Sequence, residues 1–132
     1  MYTVDFETFD RYVSEGIKEI PKTFRDRFNN VVFIIEDYPT GYQLAKMKME
    51  HGRSLFGLYE GVSLQRRTSS YSGAIPDKIT IFKNAIERYS IDEEHLKRIV
   101  KNTVWHEVAH HFGMNEEEVR SAEKERGHYY HY

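Results

Sequence analysis

Residues 103–114 read TVWHEVAHHFGM and contain, at positions 106–110, the pattern His-Glu-x-x-His. The preceding residues, Leu96 to Thr103, place apolar side chains at the three- and four-residue spacing of one helix face. Continued along the helix, this face includes His106, Glu107 and His110, and the residues on the other faces of the same stretch are mostly apolar. The pattern therefore predicts a buried helix whose interior carries two imidazoles and a carboxyl group. Buried polar groups need hydrogen-bond partners or a ligand, so this stretch is the first candidate for a functional site.

Local signals also predict where this helix begins and ends. Ser90 followed by Glu93 is typical of a capping box, and acidic residues fill the first turn. Gly113 supplies a residue that tolerates the left-handed conformation at a helix end, and Met114 follows it as the apolar residue of a Schellman-type ending. The two histidines are therefore expected in the last turns of the helix.

The spacing of His106 and His110 suits a metal site. Residues four apart on a helix lie one above the other, with Cβ atoms about 5–6 Å apart. Two neutral imidazoles can then reach one zinc ion at roughly 2.0–2.1 Å. Glu107, beside the first histidine, can face a metal-bound water and act as general base. The alternative is a pair of hydrogen-bonded core histidines without a metal.

A third ligand has to come from outside the helix. A glycine turn at Gly113 lets the chain fold back, so Glu116 can approach the metal and supply negative charge. Glu116 also lies in the acidic first turn of a possible following helix capped by Asn115, which is the alternative interpretation of this residue. Other residues that could take the third position are Glu117, Glu123, His128 and His131.

Two further residues lie near the motif or carry suitable chemistry. His111 points about 100° around the helix from His110, so we expect it behind the ligands or at the surface rather than on the metal. Tyr59, in an apolar stretch rich in glycine, is a possible transition-state stabiliser, although packing is the commoner role of such a residue.

The remaining sequence predicts an α+β fold, with a small mixed β-sheet packed on an N-terminal helix and on the buried motif helix. The spacing of apolar residues from Phe6 to Ile20 predicts an amphipathic helix capped by Asp5 or Thr3, and Pro21 opens a second short helix. Other segments with a secondary-structure signal are strands at 31–36, within 55–64 and at 78–82, and a helical segment at 43–51. We expect a single domain over residues 1–132, with 127–132 a flexible tail.

Composition narrows the classes of function. The 132 residues include seven His and no Cys, which excludes disulfides and thiolate metal sites and leaves His, Asp and Glu as ligands. A net charge of −2 gives no general attraction to nucleic acid or to anionic lipid. The longest apolar run, residues 31–35, is far too short to span a membrane, and the acidic first twenty residues do not resemble a signal peptide. We therefore expect a cytoplasmic protein with neither nucleic-acid nor membrane partners.

Several blocks resemble one known family, the minimal metallopeptidase-like zincins of bacteria. These blocks are Ile20-Pro21, residues 31–39 ending in Glu36-Asp37-Tyr38-Pro39, residues 55–62, residues 76–79 and, most specifically, residues 106–114. The resemblance covers nearly the whole chain and implies a zincin-like α+β fold, one zinc ion and a peptide or protein substrate.

Within this resemblance, His106 and His110 match the zinc-binding histidines and Glu107 matches the catalytic glutamate. Glu116 stands where a related motif places an aspartate as third ligand, one methylene shorter. The function expected from sequence is zinc-dependent peptide-bond hydrolysis. The alternatives are a zinc-binding regulatory or interaction module with little or no turnover, and an intracellular enzyme that cleaves one dedicated regulator. The sequence does not indicate the oligomeric state.

Overall fold

The computed structural model describes residues 1–50, 56–61, 76–114, 117–118 and 121. The elements, in chain order, are α1 (Phe6–Lys18), α2 (Lys22–Arg25), β1 (Val31–Glu36), α3 (Gly41–Glu50), β2 (Gly57–Glu60), β3 (Asp77–Phe82), α4 (Lys83–Tyr89) and α5 (Glu93–His111). Helices and a small mixed sheet thus share one chain, which confirms the predicted α+β class. None of the helices in these ranges has both the length and the apolar character that crossing a membrane requires.

The sheet has the strand order β1-β3-β2. β1 is parallel to β3, from Val31 opposite Asp77 to Glu36 opposite Phe82. β2 is antiparallel to β3, with Gly57 opposite Ile81. β3 is therefore the central strand of the described sheet, and its side chains at 79–82 are fully buried.

One face of the sheet packs on α1 and α5 and forms the main core. Side chains alternate between the two faces of a strand, so Ile79 and Ile81 point to this face together. They join α5 and the buried face of α1 in one cluster. The fully buried members of this cluster are Phe9, Ile79, Ile81, Ile86, Leu96, Ile99, Val100, Val104, Val108 and Ala109. α5 is the long central helix of the fold, and this position buries the motif.

α3 is connected to the sheet by polar contacts. The Gln43 side chain donates to Oε1 of Glu36 at the end of β1. Lys46 lies 3.2 Å from the carboxyl group of Glu60 in β2, and Lys78 lies 3.6 Å from the other oxygen of that group. The predicted helical segment at 43–51 is confirmed from Gln43 to Glu50 by α3, and His51 lies outside the described residues.

The two predicted N-terminal helices and the Asp5 cap are confirmed, but α1 ends at Lys18 rather than Ile20, and α2 ends at Arg25 rather than reaching Phe28. Asp5 caps α1 and accepts a hydrogen bond from the Thr8 N–H at 2.7 Å. Hydrogen bonding with the Thr8 side chain, and then this backbone bond, lower the pKa of the Asp5 carboxyl group below its ordinary value. Pro21 precedes the short helix α2, as its position in the sequence predicts.

The predicted start of the motif helix is wrong. Asp92, not Ser90, caps α5 and accepts from the His95 N–H at 2.8 Å. Ser90 instead ends α4, where its hydroxyl donates to the Ile86 carbonyl at 2.7 Å. The capping-box pattern misled because α4 was not predicted, and because Asp is as good a cap as Ser.

Candidate metal centre

The His-Glu-x-x-His residues lie in the last two turns of α5, as predicted. His106 is 3% exposed, Glu107 2% and His110 9%. The helix passes through the core beside the sheet, so only the His110 edge of this group comes near the surface. The predicted burial of all three polar side chains is therefore confirmed.

His106 and His110 lie side by side. Their ring centroids are 5.0 Å apart and the ring planes are inclined by 70°. The Nδ1 atom of His110 lies 3.2 Å from the carbonyl oxygen of Met114. A carbonyl can only accept, so Nδ1 carries the proton, and in the neutral ring the lone pair is on Nε2. A backbone carbonyl of this kind orients metal-binding histidines in many proteins, so this pair fits a zinc ion.

The helix ending explains why that carbonyl is available. Gly113 has φ +85°. Its N–H donates to the His110 carbonyl at 2.9 Å, and the Met114 N–H donates to the Ala109 carbonyl at 3.1 Å. These two bonds form the predicted Schellman motif. The reversal of the chain at Gly113 brings the Met114 carbonyl back over the last turn, onto His110.

Glu107 lies against strand β2. A Cβ atom built at Gly57 would be 3.1 Å from Cγ of Glu107 and 2.6 Å from Cγ2 of Thr103. Only a residue without a side chain fits there, so α5 approaches β2 closely at this point. The candidate general base is thus adjacent to a strand that, among the described residues, pairs only with β3.

His111 is not at the surface. Its side chain is 0% exposed, and its Nδ1 lies 3.0 Å from Oδ2 of Asp77 at the start of β3. The same oxygen accepts a hydrogen bond of 2.5 Å from the Tyr59 hydroxyl. The expectation that His111 lies behind the ligands agrees with this position, whereas the surface alternative is wrong.

Asp77 is a residue that the sequence did not single out. Pro76-Asp77 has the composition of a turn, and 34 positions separate Asp77 from His111 in the sequence. The side chain is 1% exposed. The available signal was an acidic residue at the first position of a strand whose later positions include Ile79, Ile81 and Phe82. Tyr59, considered as a transition-state stabiliser, has its hydroxyl directed to this aspartate.

The third ligand lies outside the described residues if it is Glu116. Also outside the described residues are the alternative ligands Glu123, His128 and His131, and the predicted tail at 127–132. Glu117 is described and is exposed. Within the part of the chain that the structure describes, no three His, Asp or Glu side chains are grouped closely enough to hold a metal. The described residues thus contribute two imidazoles and one neighbouring carboxyl group to the candidate centre.

The fold and this group of side chains define a class of protein, a small α+β domain with a histidine pair and a glutamate on a buried helix. Comparison with known families identifies the family within this class: residues 28–126, three quarters of the chain, match the zincin-like metallopeptidases. The chain belongs to this family. Membership implies zinc binding and a peptide substrate, and it agrees with the resemblance seen in the sequence. No curated protein is significantly similar to the chain.

Proposed function

We propose that this protein is a zinc-dependent peptidase in which His106 and His110 bind the metal and Glu107 is the general base. The observation that carries the proposal is the geometry of the last turns of α5. Two imidazoles are 5.0 Å apart between ring centroids, and His110 is oriented by the Met114 carbonyl. Family membership supports the same chemistry.

The burial of the motif favours a chemical role over a purely structural one. Glu107 is 2% exposed and His106 3% exposed, and the neighbouring side chains of Trp105 and Val108 are buried and apolar. An apolar side chain of similar size could fill the same space without the desolvation that a carboxyl group or an imidazole incurs. Polar residues at such positions are explained when they bind a ligand or take part in a reaction.

Each residue has a distinct role in the proposed reaction. When bound, zinc supplies Lewis acidity, lowering the pKa of a water molecule and polarising the scissile carbonyl. Glu107 accepts a proton from the attacking water and later donates it to the leaving amine. His106 and His110 hold the cation through neutral ring nitrogens, and the Met114 carbonyl fixes the His110 tautomer that this requires.

Strand β2 is our candidate for aligning the substrate. Gly57 lies next to Glu107, and β3 pairs with one edge of β2. An extended peptide that formed backbone hydrogen bonds with the other edge of β2 would run past Glu107. Tyr59 lies on this strand, but its hydroxyl donates to Asp77, so a role in stabilising the transition state requires that this bond be exchanged.

Metal content is the first test. We expect one zinc per chain after reconstitution, and a chelator should lower the thermal midpoint. Stabilisation by zinc reaches about 4 kcal/mol when free zinc exceeds the Kd by roughly 1,000-fold. A protein that takes up no zinc and has the same midpoint with and without chelator would refute the metal centre.

The general base is tested by Glu107→Gln. We expect zinc binding to be retained and the peptide-cleavage rate to fall by about 10²–10⁴-fold. Glu94→Gln, an exposed change of the same chemistry in the first turn of α5, is the matched control and should retain full activity. A zinc-loaded wild-type protein that cleaves no member of a diverse peptide library would favour the alternative, a zinc-binding interaction module.

The third ligand is tested by Glu116→Gln. We expect this change to weaken zinc binding, because it removes the negative charge that anchors the cation. Glu118→Gln changes an exposed neighbour and serves as the control, whereas Glu117→Gln tests the alternative ligand. Loss of affinity in the Glu117 variant, with Glu116→Gln unaffected, would move the ligand to position 117.

A further inference from the structure

Three side chains meet beneath the last turn of α5, and we call them the Asp77 cluster: the buried Asp77 and His111, and the partly buried Tyr59. Oδ2 of Asp77 accepts from the Tyr59 hydroxyl at 2.5 Å and lies 3.0 Å from Nδ1 of His111. Asp77 is 1% exposed and His111 0% exposed. None of the three has a role in the proposed mechanism as a metal ligand or as the general base.

The cluster connects segments that are distant in sequence. Asp77 begins β3, Tyr59 is near the end of β2, and His111 ends α5. On its other side the His111 ring accepts from the Asn29 N–H at 3.5 Å, just before β1. The end of α5 is therefore connected to β2, to β3 and to the residue Asn29 that precedes β1.

The fold makes space for this arrangement at one glycine. A Cβ atom at Gly61 would lie 2.3 Å from both Cγ and Oδ1 of Asp77. The backbone after β2 thus passes directly over the aspartate, which holds the carboxyl group in place. The aromatic rings of Phe28 and Phe112 pack edge-on against His111, at 6.1 and 5.4 Å between ring centroids. His111 consequently has little freedom to change its rotamer.

The position of His111 fixes that of its neighbour. His110 precedes it, and a helix with side chains has a radius of about 5–6 Å, so a rotation of the last turn by roughly 10° moves a side-chain atom by about 1 Å. Metal–ligand distances hold within about 0.2 Å of their ideal values. A small rotation would therefore disturb both His110 and its bond to the Met114 carbonyl.

We infer that the Asp77 cluster is a positioning device for the metal centre: the hydrogen bond from His111 to Asp77 sets the rotation of the last turn of α5 that aligns His110. This inference rests on the proposed zinc site. The cluster acts through His110, so its residues are positioning residues and not ligands.

The test compares two changes at position 111. His111→Phe keeps an aromatic ring and removes the donor to Asp77, whereas His111→Asn keeps an N–H near the position of Nδ1. His95→Phe is the matched control, since His95 is a buried, hydrogen-bonded histidine in the first turn of the same helix. Zinc affinity is measured by competition with a chelating dye, and the geometry of the site by the visible spectrum of the cobalt-substituted protein.

We expect His111→Phe to lower zinc affinity about tenfold, the lower end of the effect of losing a group that orients a ligand, and to alter the cobalt spectrum. His111→Asn should recover most of the affinity, and His95→Phe should match the wild type in both measurements even where it lowers the thermal midpoint. Unchanged affinity and spectrum in His111→Phe, with normal zinc binding by the wild type, would overturn the positioning role alone. Absence of zinc binding by the wild type would refute the metal centre and the positioning role together.

If His111→Phe does not fold, Asp77→Ala provides the same test, because it removes the acceptor of the His111 Nδ1–H and leaves the sequence of α5 unchanged. A several-fold loss of zinc affinity in this variant supports the inference, and wild-type affinity overturns it.

Discussion

Gly57→Ala tests the close approach of α5 to β2. An ideal Cβ at this position lies 2.6 Å from Cγ2 of Thr103, 3.1 Å from Cγ of Glu107 and 3.3 Å from the Thr80 carbonyl oxygen. Thr103 cannot turn its methyl group away without loss, because its hydroxyl donates to the Ile99 carbonyl at 2.7 Å. The helix and the strand must therefore separate.

The size of the effect follows from these distances. Carbon atoms in contact prefer separations of about 3.5–4.0 Å, so the added methyl group requires a displacement of about 1 Å at Thr103. Overpacking of this kind in a core costs about 1–3 kcal/mol. A displacement of about 1 Å at a catalytic group can reduce a rate about 100-fold. Since Glu107 is one turn further along the same helix, we expect activity to fall more steeply than stability.

The free energy of unfolding of Gly57→Ala and of Gly41→Ala is measured by denaturant titration. The peptide-cleavage rate of both zinc-loaded variants is then compared with that of the wild type. Gly41 is the matched control, since a Cβ there meets nothing within 4 Å. Adding Thr103→Ser removes the methyl group that is 2.6 Å away and keeps the hydroxyl, so the double variant should recover part of the loss. Gly57→Ala with the stability of the Gly41 variant would refute the described contact between α5 and β2.

Three further predictions concern stability. Glu87→Ala should lower the free energy of unfolding by about 3 kcal/mol in denaturant titrations, because the buried carboxyl group accepts from Lys83 at 3.0 Å and from the Val4 N–H at 2.9 Å. The double variant Lys83→Met/Glu87→Leu should lose less stability, because it leaves no buried charge without its partner. An equal loss of stability in the two variants would contradict this explanation. Gly113→Ala should lower the free energy of unfolding by about 1–2 kcal/mol, because φ at this position is +85°, and it should weaken zinc binding by shifting the Met114 carbonyl. An unchanged thermal midpoint would count against the described C-terminal ending of α5. Burial, and then the hydrogen bond to Glu93, raise the pKa of Tyr12 above its ordinary value of 10.0. The un-ionised hydroxyl therefore contributes its full stabilisation below pH 10, and this stabilisation is lost as the pH rises through the raised pKa of the folded state. Tyr12→Phe should lower the free energy of unfolding by about 1 kcal/mol at neutral pH. The difference in unfolding free energy between this variant and the wild type should shrink in unfolding experiments at alkaline pH.

The histidine pair and its helix could be predicted because their signals are local. The spacing from Leu96 to His110 specifies which face of α5 is buried, and Gly113 specifies its end, through interactions within a few residues. The cap at Asp5 is local in the same sense. The sequence alone therefore indicated the candidate ligands and the base.

Local patterns could not determine which distant residues come together. α4 escaped prediction because β3 leads directly into it at Lys83, without a side-chain cap or an intervening turn. The partnership of Asp77 and His111 depends on β3 being the central strand, with Asp77 at its first position beneath the end of α5.

The sequence by itself determined the helix periodicity, its ending and the chemical type of the candidate centre, because these depend on neighbours three to five positions apart. Only the tertiary structure decided that Gly57 lies against Glu107 and that Tyr59 and His111 share Asp77. These contacts follow from strand pairing and from helix packing on the sheet. Both are set by how the whole core is filled, and no short stretch of sequence records them.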